Sequence, residues 1–133
     1  MMRAHEYVVV APGTEHVLER VSGELLKRHT YVEALWVAEQ DSQAVCRLVT
    51  DDSDGATAAI KAAGYVVSNV REVLVDRFPD EPGVLAAICR RAADAGLNLA
   101  SAYPGAHGDL VLACDDLNAL ETAVVERPSG GGI

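Results

Sequence analysis

At 133 residues the chain holds either one ordinary domain or two small ones of about 65 residues, each barely able to bury a core unaided. Half of it is hydrophobic but only 5% is aromatic, so the core must be built from Val, Leu, Ile and Ala; 20 acidic against 11 basic residues, a net charge of -9, oppose the phosphate contacts that a nucleic-acid partner would need. No apolar run approaches the roughly 18 residues that span a bilayer, and "MMRAHEYVVVAPG" has no signal-peptide cleavage pattern, so the expectation is a cytoplasmic protein with no membrane partner.

In chain order, "HEYVVVA" (5–11) is a β-branched strand ended by Pro12-Gly13, and Thr14 or Gly13 opens a helix with Val17, Leu18, Val21, Leu25 and Leu26 on one face. Strands 31–39 and 44–50 form a hairpin across "DSQ". Asp51, Asp52 and Ser53 are N-cap candidates for a helix carrying Ala56, Ala59, Ile60 and Ala63, closed by Gly64 before the strand "YVVSNV" (65–70). The first half therefore reads β-α-β-β-α-β.

The second half repeats this order. Strand 71–78 leads through "DEPG" into helix 83–95, Gly96 stops the helix, and strand 97–103 follows; "PGAHG" turns the chain into "DLVLAC", and Asp115-Asp116 precede a last helix to about Val125. At an offset of 67, Val17-Leu18 fall on Val84-Leu85, Val21 on Ile88, Val32 on Leu99 and Trp36 on Tyr103; at 64, Asp51-Asp52 fall on Asp115-Asp116. "ERPSGGGI" disfavours a further strand, because Pro128 and three glycines suit a tail. The fold class expected is α+β: two ferredoxin-like βαββαβ units, antiparallel sheets with helices on one face, the second short of its last strand. The boundaries expected are 1–70, 71–127 and a flexible tail at 128–133.

The residues that carry chemistry are sparse. Cys46, Cys89 and Cys114 have no close spacing and sit beside apolar residues, which suggests buried free thiols. The histidines (5, 16, 29 and 107) are scattered, and "DDSDG" (51–55) lacks the remaining ligands of a calcium loop, so neither a metal nor a cofactor is expected. No nucleophile, base and orienting group can be nominated, and an anion-hydrolysing site would have only Arg77 and Asn98 to use, so no enzyme activity is expected.

"DEPGVLAAICRRAADAGLNLASAY" followed by "DLVLACDDLNAL" resembles the ACT domain family of amino-acid-sensing modules. The likeness rests on Asp80, Pro82, Gly83, Leu85, Ala95, Gly96, Asn98 and Asp115-Asp116. The first half is a degenerate copy: Ala11 precedes Pro12-Gly13, Lys27-Arg28-His29 replaces the Ala-Gly exit, and Tyr31 stands where Asn98 stands. The resemblance covers nearly the whole chain as a tandem pair and is closest to stand-alone two-domain members. It implies a regulatory module that binds a small amino acid between paired domains and modulates a partner, through Asp80, Pro82, Gly83, Val84, Leu85, Asn98 and Leu99, with Pro12, Gly13, Tyr31 and Val32 as weaker first-unit equivalents. It also implies a homo-oligomer such as a dimer, or a regulated enzyme as partner.

That chemistry is compatible with the residues. A helix N-terminus offers N–H groups and partial positive charge to a carboxylate, and Asn98 both donates and accepts hydrogen bonds. Asp80 suits an ammonium group or a helix cap equally. The alternative function is a structural or protein-interaction module without a small ligand.

Overall fold

The computed structural model describes residues 2–13, 16–78 and 82–125, with Val125 described by its backbone alone. The elements are β1 (Met2–Ala11), α1 (Val17–Lys27), β2 (Val32–Gln40), β3 (Gln43–Thr50), α2 (Ser53–Ala62), β4 (Val67–Arg77), α3 (Val84–Asp94), β5 (Leu99–Pro104), β6 (Asp109–Cys114) and α4 (Leu117–Val125). A 3-10 turn at Ala106–Gly108 joins β5 to β6. Two compact units result, Ala4–Glu72 and the described residues of Met1–Arg3 with Val73–Ile133.

In the first unit the strands run β2-β3-β1-β4, the order of a ferredoxin-like sheet. β3 pairs antiparallel with both neighbours, Tyr7 opposite Leu48 on one side and Leu35 opposite Leu48 on the other. Alternation along the strands turns Tyr7, Val9, Ala11, Ala44, Cys46 and Leu48 to the helices, where Val17, Val21, Leu25, Ala56, Ala59 and Ile60 close the core. Each fully buried Leu or Ile contributes about 2 kcal/mol.

In the second unit β4, β6 and β5 lie side by side in that order, with Leu74 opposite Leu112 and Val75 opposite Val111. Its core joins Leu74, Phe78, Val84, Ile88, Ala92, Leu112, Leu117, Leu120 and Val124. The sequence suggests that this unit is short of its last strand, and among the described residues no strand follows α4. Arg3 belongs to this unit and donates to the carboxylate of Glu121 at 3.1 Å and to Asn118 on α4. The α+β class and the alternation of strands and helices are as the sequence suggests. Strands 65–70 and 71–78 are a single strand, β4, because Val70-Arg71 carries no residue that would turn the chain. The tail at 128–133 and Pro128 lie outside the described residues.

The two helix pairs repeat in register. α1 and α3 are both 11 residues long and begin 67 residues apart, at Val17 and Val84. Asp52 caps α2 by accepting from the N–H groups of Asp54 and Gly55, and Asp116 accepts from Ala119 N–H at the start of α4. Asp52 is thus a helix cap, and "DDSDG" is a strand-to-helix turn. Among the described residues no helix is long and apolar enough to cross a membrane.

Candidate functional site

The sequence directs attention to the start of α3. Gly83 is its N-cap, with φ 89°, and accepts from Ala87 N–H at 2.9 Å. An added Cβ there would meet nothing within 4 Å, so what the fold takes from this glycine is its positive φ. Among the described residues, none approaches that position within 4 Å. Pro82 and Gly83 are exposed, and Leu85 is 48% exposed, whereas Val84 is 9% exposed and packs into the core. Asp80 lies outside the described residues.

Asn98 and Leu99 do not join this loop within one unit. They follow the C-terminus of α3, and 11 helical residues at 1.5 Å each put about 16 Å between Asn98 and Gly83. Asn98 is exposed; Leu99 is half-buried against the second core. Gly83 instead lines an open groove of about 750 Å³ along α3 with Ala86, Ala87, Arg90, Arg91, Asp94, Ala95 and Ala123.

In the first unit, Pro12 and Gly13 are exposed but do not open α1. Its N-cap is His16, left-handed at φ 65°, and the helix register makes His16 the counterpart of Gly83. Its ring Nδ1 lies 3.1 Å from the Glu19 carboxylate. Thr14 lies outside the described residues. Tyr31 and Val32 do match Asn98 and Leu99 in register, Tyr31 being 71% exposed. The helix exits also correspond. His29 (φ 51°) and Gly96 (φ 77°) both adopt left-handed geometry, and the next residues, Thr30 and Leu97, donate to Leu25 and Ala92 at 3.0 and 2.8 Å.

Pro12 and Gly13 line a second groove, of about 530 Å³, with Ala11, Arg20, Glu39, Ser42 and Tyr65. These four polar residues carry no sequence signal, since they come from α1, the β2–β3 hairpin and the exit of α2. Also unanticipated is Glu6, wholly buried in a β-branched strand, with Arg47 at 2.9 Å and Arg71 at 2.6 Å on one carboxylate oxygen. The Arg47 guanidinium lies 5.5 Å from the centre of the Trp36 ring.

An anion-hydrolysing arrangement of Arg77 with Asn98 does not form. Arg77 pairs with Asp109 at 3.7 Å, at the end of the β5–β6 ladder opposite to Asn98, and six strand residues span about 20 Å. Among the described residues no three His, Cys, Asp or Glu side chains gather to hold a metal ion. Of the cysteines, Cys46 is buried and burial pushes its thiol up to about 11; Cys114 is half-buried and raised for the same reason, and Cys89, against expectation, is exposed on α3.

No family model matches the sequence, and no curated protein resembles it at the sequence level. Solved structures do. Protein BT0572 of Bacteroides thetaiotaomicron superposes with a TM-score of 0.81 at 23% identity, over 94% of this chain and 88% of that one. The ligand-free regulatory subunit of aspartate kinase from Thermus thermophilus follows at 0.68 and 15% identity, over 92% and 88%. The regulatory subunit of aspartate kinase from Thermus flavus gives 0.59 and 17%, over 92% and 90%. The likeness is one of fold. This chain shares the fold of these structures over nearly its full length.

Proposed function

We propose that this chain is a non-catalytic regulatory module that binds a small amino acid and passes its occupancy to a partner protein, acting in the cytoplasm as a dimer. The observation that carries the reading is Gly83, which opens α3 in a left-handed conformation with no described residue within 4 Å of a Cβ placed there, within a fold related to aspartate kinase regulatory subunits. Residues 1–70 and 71–127 are its two ACT-like domains.

The ligand carboxylate sits at the start of α3 among Pro82, Gly83, Val84 and Leu85, with Asp80 of the same loop facing its ammonium. Backbone N–H groups serve at Val84, whose side chain belongs to the core. Because α3 separates Gly83 from Asn98 by about 16 Å, Asn98 and Leu99 reach the same ligand only from a second copy, which is why the reading includes a dimer. Tyr31 and Val32 are the matching pair of the first unit.

Thermal-shift and calorimetric titration with the twenty amino acids test this. Saturation at a hundred times Kd should raise Tm by roughly 10 °C. Asn98→Ala, at an exposed position, should weaken binding more than Tyr31→Ala, and Gly83→Val should abolish it. No response to any amino acid at millimolar concentration sinks the ligand-binding reading.

A second reading, an interaction module without a small ligand, draws on Leu26 and Tyr31, which are 74% and 71% exposed where the second unit has Ala93 and Asn98. Light scattering that finds a stable monomer with and without amino acids counts against it.

A further inference from the structure

The helix surface of the second unit carries charges that the fold does not use. The charged residues of α3 are Arg90, Arg91 and Asp94, and all of them line the groove of about 750 Å³ that runs along it to Ala123 on α4. Neither arginine is in an ion pair among the described residues, and the carboxylate that α4 offers, Glu121, is held by Arg3 at 3.1 Å. Asp94 stands one helical turn from both arginines and bridges to neither. Arg91 is half-buried, and its Nε is shut off from solvent with no acceptor among the described residues. An unmet buried donor carries the full cost of its desolvation.

The first unit shows that the backbone does not require this arrangement. At the offset of 67, Arg90, Arg91 and Asp94 stand where α1 has Gly23, Glu24 and Lys27. There the Glu24 carboxylate accepts from Lys27 at 2.8 Å and from Arg28 at 2.9 Å, so the helix neutralises itself. In α3 the signs are reversed, acid after base, which is the less favourable order along a helix. Two guanidiniums thus remain available to something other than their own helix, in a chain whose net charge is -9.

One guanidinium fork satisfies a carboxylate, whereas a phosphate monoester presents three acceptor oxygens and up to two charges, enough to engage both arginines. Asp94 repels a phosphate but accepts from a hydroxyl. The groove falls within the roughly 300–1,000 Å³ of small-molecule sites and exceeds what a bare ion fills. We propose that it binds a small phosphorylated molecule bearing hydroxyl groups, such as a sugar phosphate. Arg90 and Arg91 hold the phosphate, Asp94 accepts from a hydroxyl, and Ala87 and Ala123 face the carbon skeleton. The site is separate from the amino-acid position at the start of α3, because about 12 Å of helix lies between Gly83 and Arg91.

The probes are glycerol phosphate, inorganic phosphate, acetate and glycerol, titrated into the full chain at constant ionic strength and followed through the Arg91 Nε–H resonance and the backbone amides of Ala87 and Ala123. Glycerol phosphate should half-saturate on the order of millimolar, inorganic phosphate about threefold higher, acetate at least about tenfold higher, and glycerol should give no response. Arg91→Lys, which keeps the charge and loses the fork, should weaken glycerol phosphate about fivefold or more, and so should Arg90→Ala at its exposed position. Arg20→Ala on α1 should change nothing. Acetate as effective as inorganic phosphate, inorganic phosphate as effective as glycerol phosphate, or unaltered binding by Arg90→Ala overturns the proposal. No response of Arg91 Nε–H to either phosphate overturns it as well, and assigns that donor to water. Amino-acid binding should persist in Arg90→Ala, so the failure of one site leaves the other standing.

Discussion

The two units place very different residues on the sheet face turned away from their helices. In the first, Glu6, Arg47 and Trp36 stand at positions where the second has Val73, Val111 and Tyr103, at the same offsets of 67 and 64 that align the helices. Glu6 and Val73 are both wholly buried, yet one is an ion held by Arg47 and Arg71 and the other a plain hydrocarbon. A single backbone plan thus tolerates opposite solutions at one site. The charged solution fixes partners across three strands, and the apolar one asks only for volume.

The largest effect expected is at that contrast. Glu6→Gln should destabilise the protein by about 3 kcal/mol, because it leaves two guanidiniums facing a neutral amide. Glu6→Val with Arg47→Val, which copies the second unit, should recover much of that loss in urea denaturation. A double change as costly as the sum of the two singles would break the equivalence of the faces.

A smaller effect concerns the starts of α2 and α4. Gly55 corresponds to Ala119, but a Cβ on Gly55 would meet the Thr30 hydroxyl and lie 2.7 Å from an Asp52 carboxylate oxygen. Gly55→Ala should therefore cost about 2 kcal/mol, although alanine is the better helix former. A neutral result would mean that Thr30 and Asp52 give way without loss.

The helix exits come next. Gly96→Ala should cost about 1 kcal/mol through its positive φ, and His29→Gly should gain a few tenths, ~0.5 kcal/mol, since the residue there already adopts the conformation glycine prefers. Opposite shifts in Tm, the loss about twice the gain, would show that both exits obey the same backbone constraint.

Cysteine chemistry separates the units with the least perturbation. Exposed Cys89 should be alkylated promptly at pH 8, whereas buried Cys46 should react only when the first unit opens. Because burial raises Cys46 to about 11 from its ordinary value of 9.0, the unfolded chain loses that proton first. Its contribution to stability is present below pH 9 and is lost as pH rises from there through about 11, visible as a fall in the urea midpoint that Cys46→Ala removes.

Much of the fold was legible locally. The stripe of Val17, Val21 and Leu25 and its echo in Val84, Ile88 and Ala92 need only 3.6-residue periodicity, and Asp52 and Asp116 announce helix starts through their own side chains. The site was legible only in part. Gly83 was found because a Pro-Gly step marks a turn; its counterpart, His16, was hidden because histidine gives no such mark, and Pro12-Gly13 drew attention three residues too early. That Gly83 and Asn98 stand at opposite ends of α3 follows from the length of the helix, which neither residue shows by itself.

By itself the sequence determined the alternation of strands and helices, the caps Asp52 and Asp116 and the apolar stripes, all set by interactions within a few residues. Tertiary structure alone decided that Glu6 meets Arg47 and Arg71, 41 and 65 residues away, that Arg3 reaches across to α4, and that Arg20, Glu39, Ser42 and Tyr65 share one groove. The physical reason is that such groupings depend on which strands pair and in what register. Many distant residues fix that register jointly, and no local pattern encodes it.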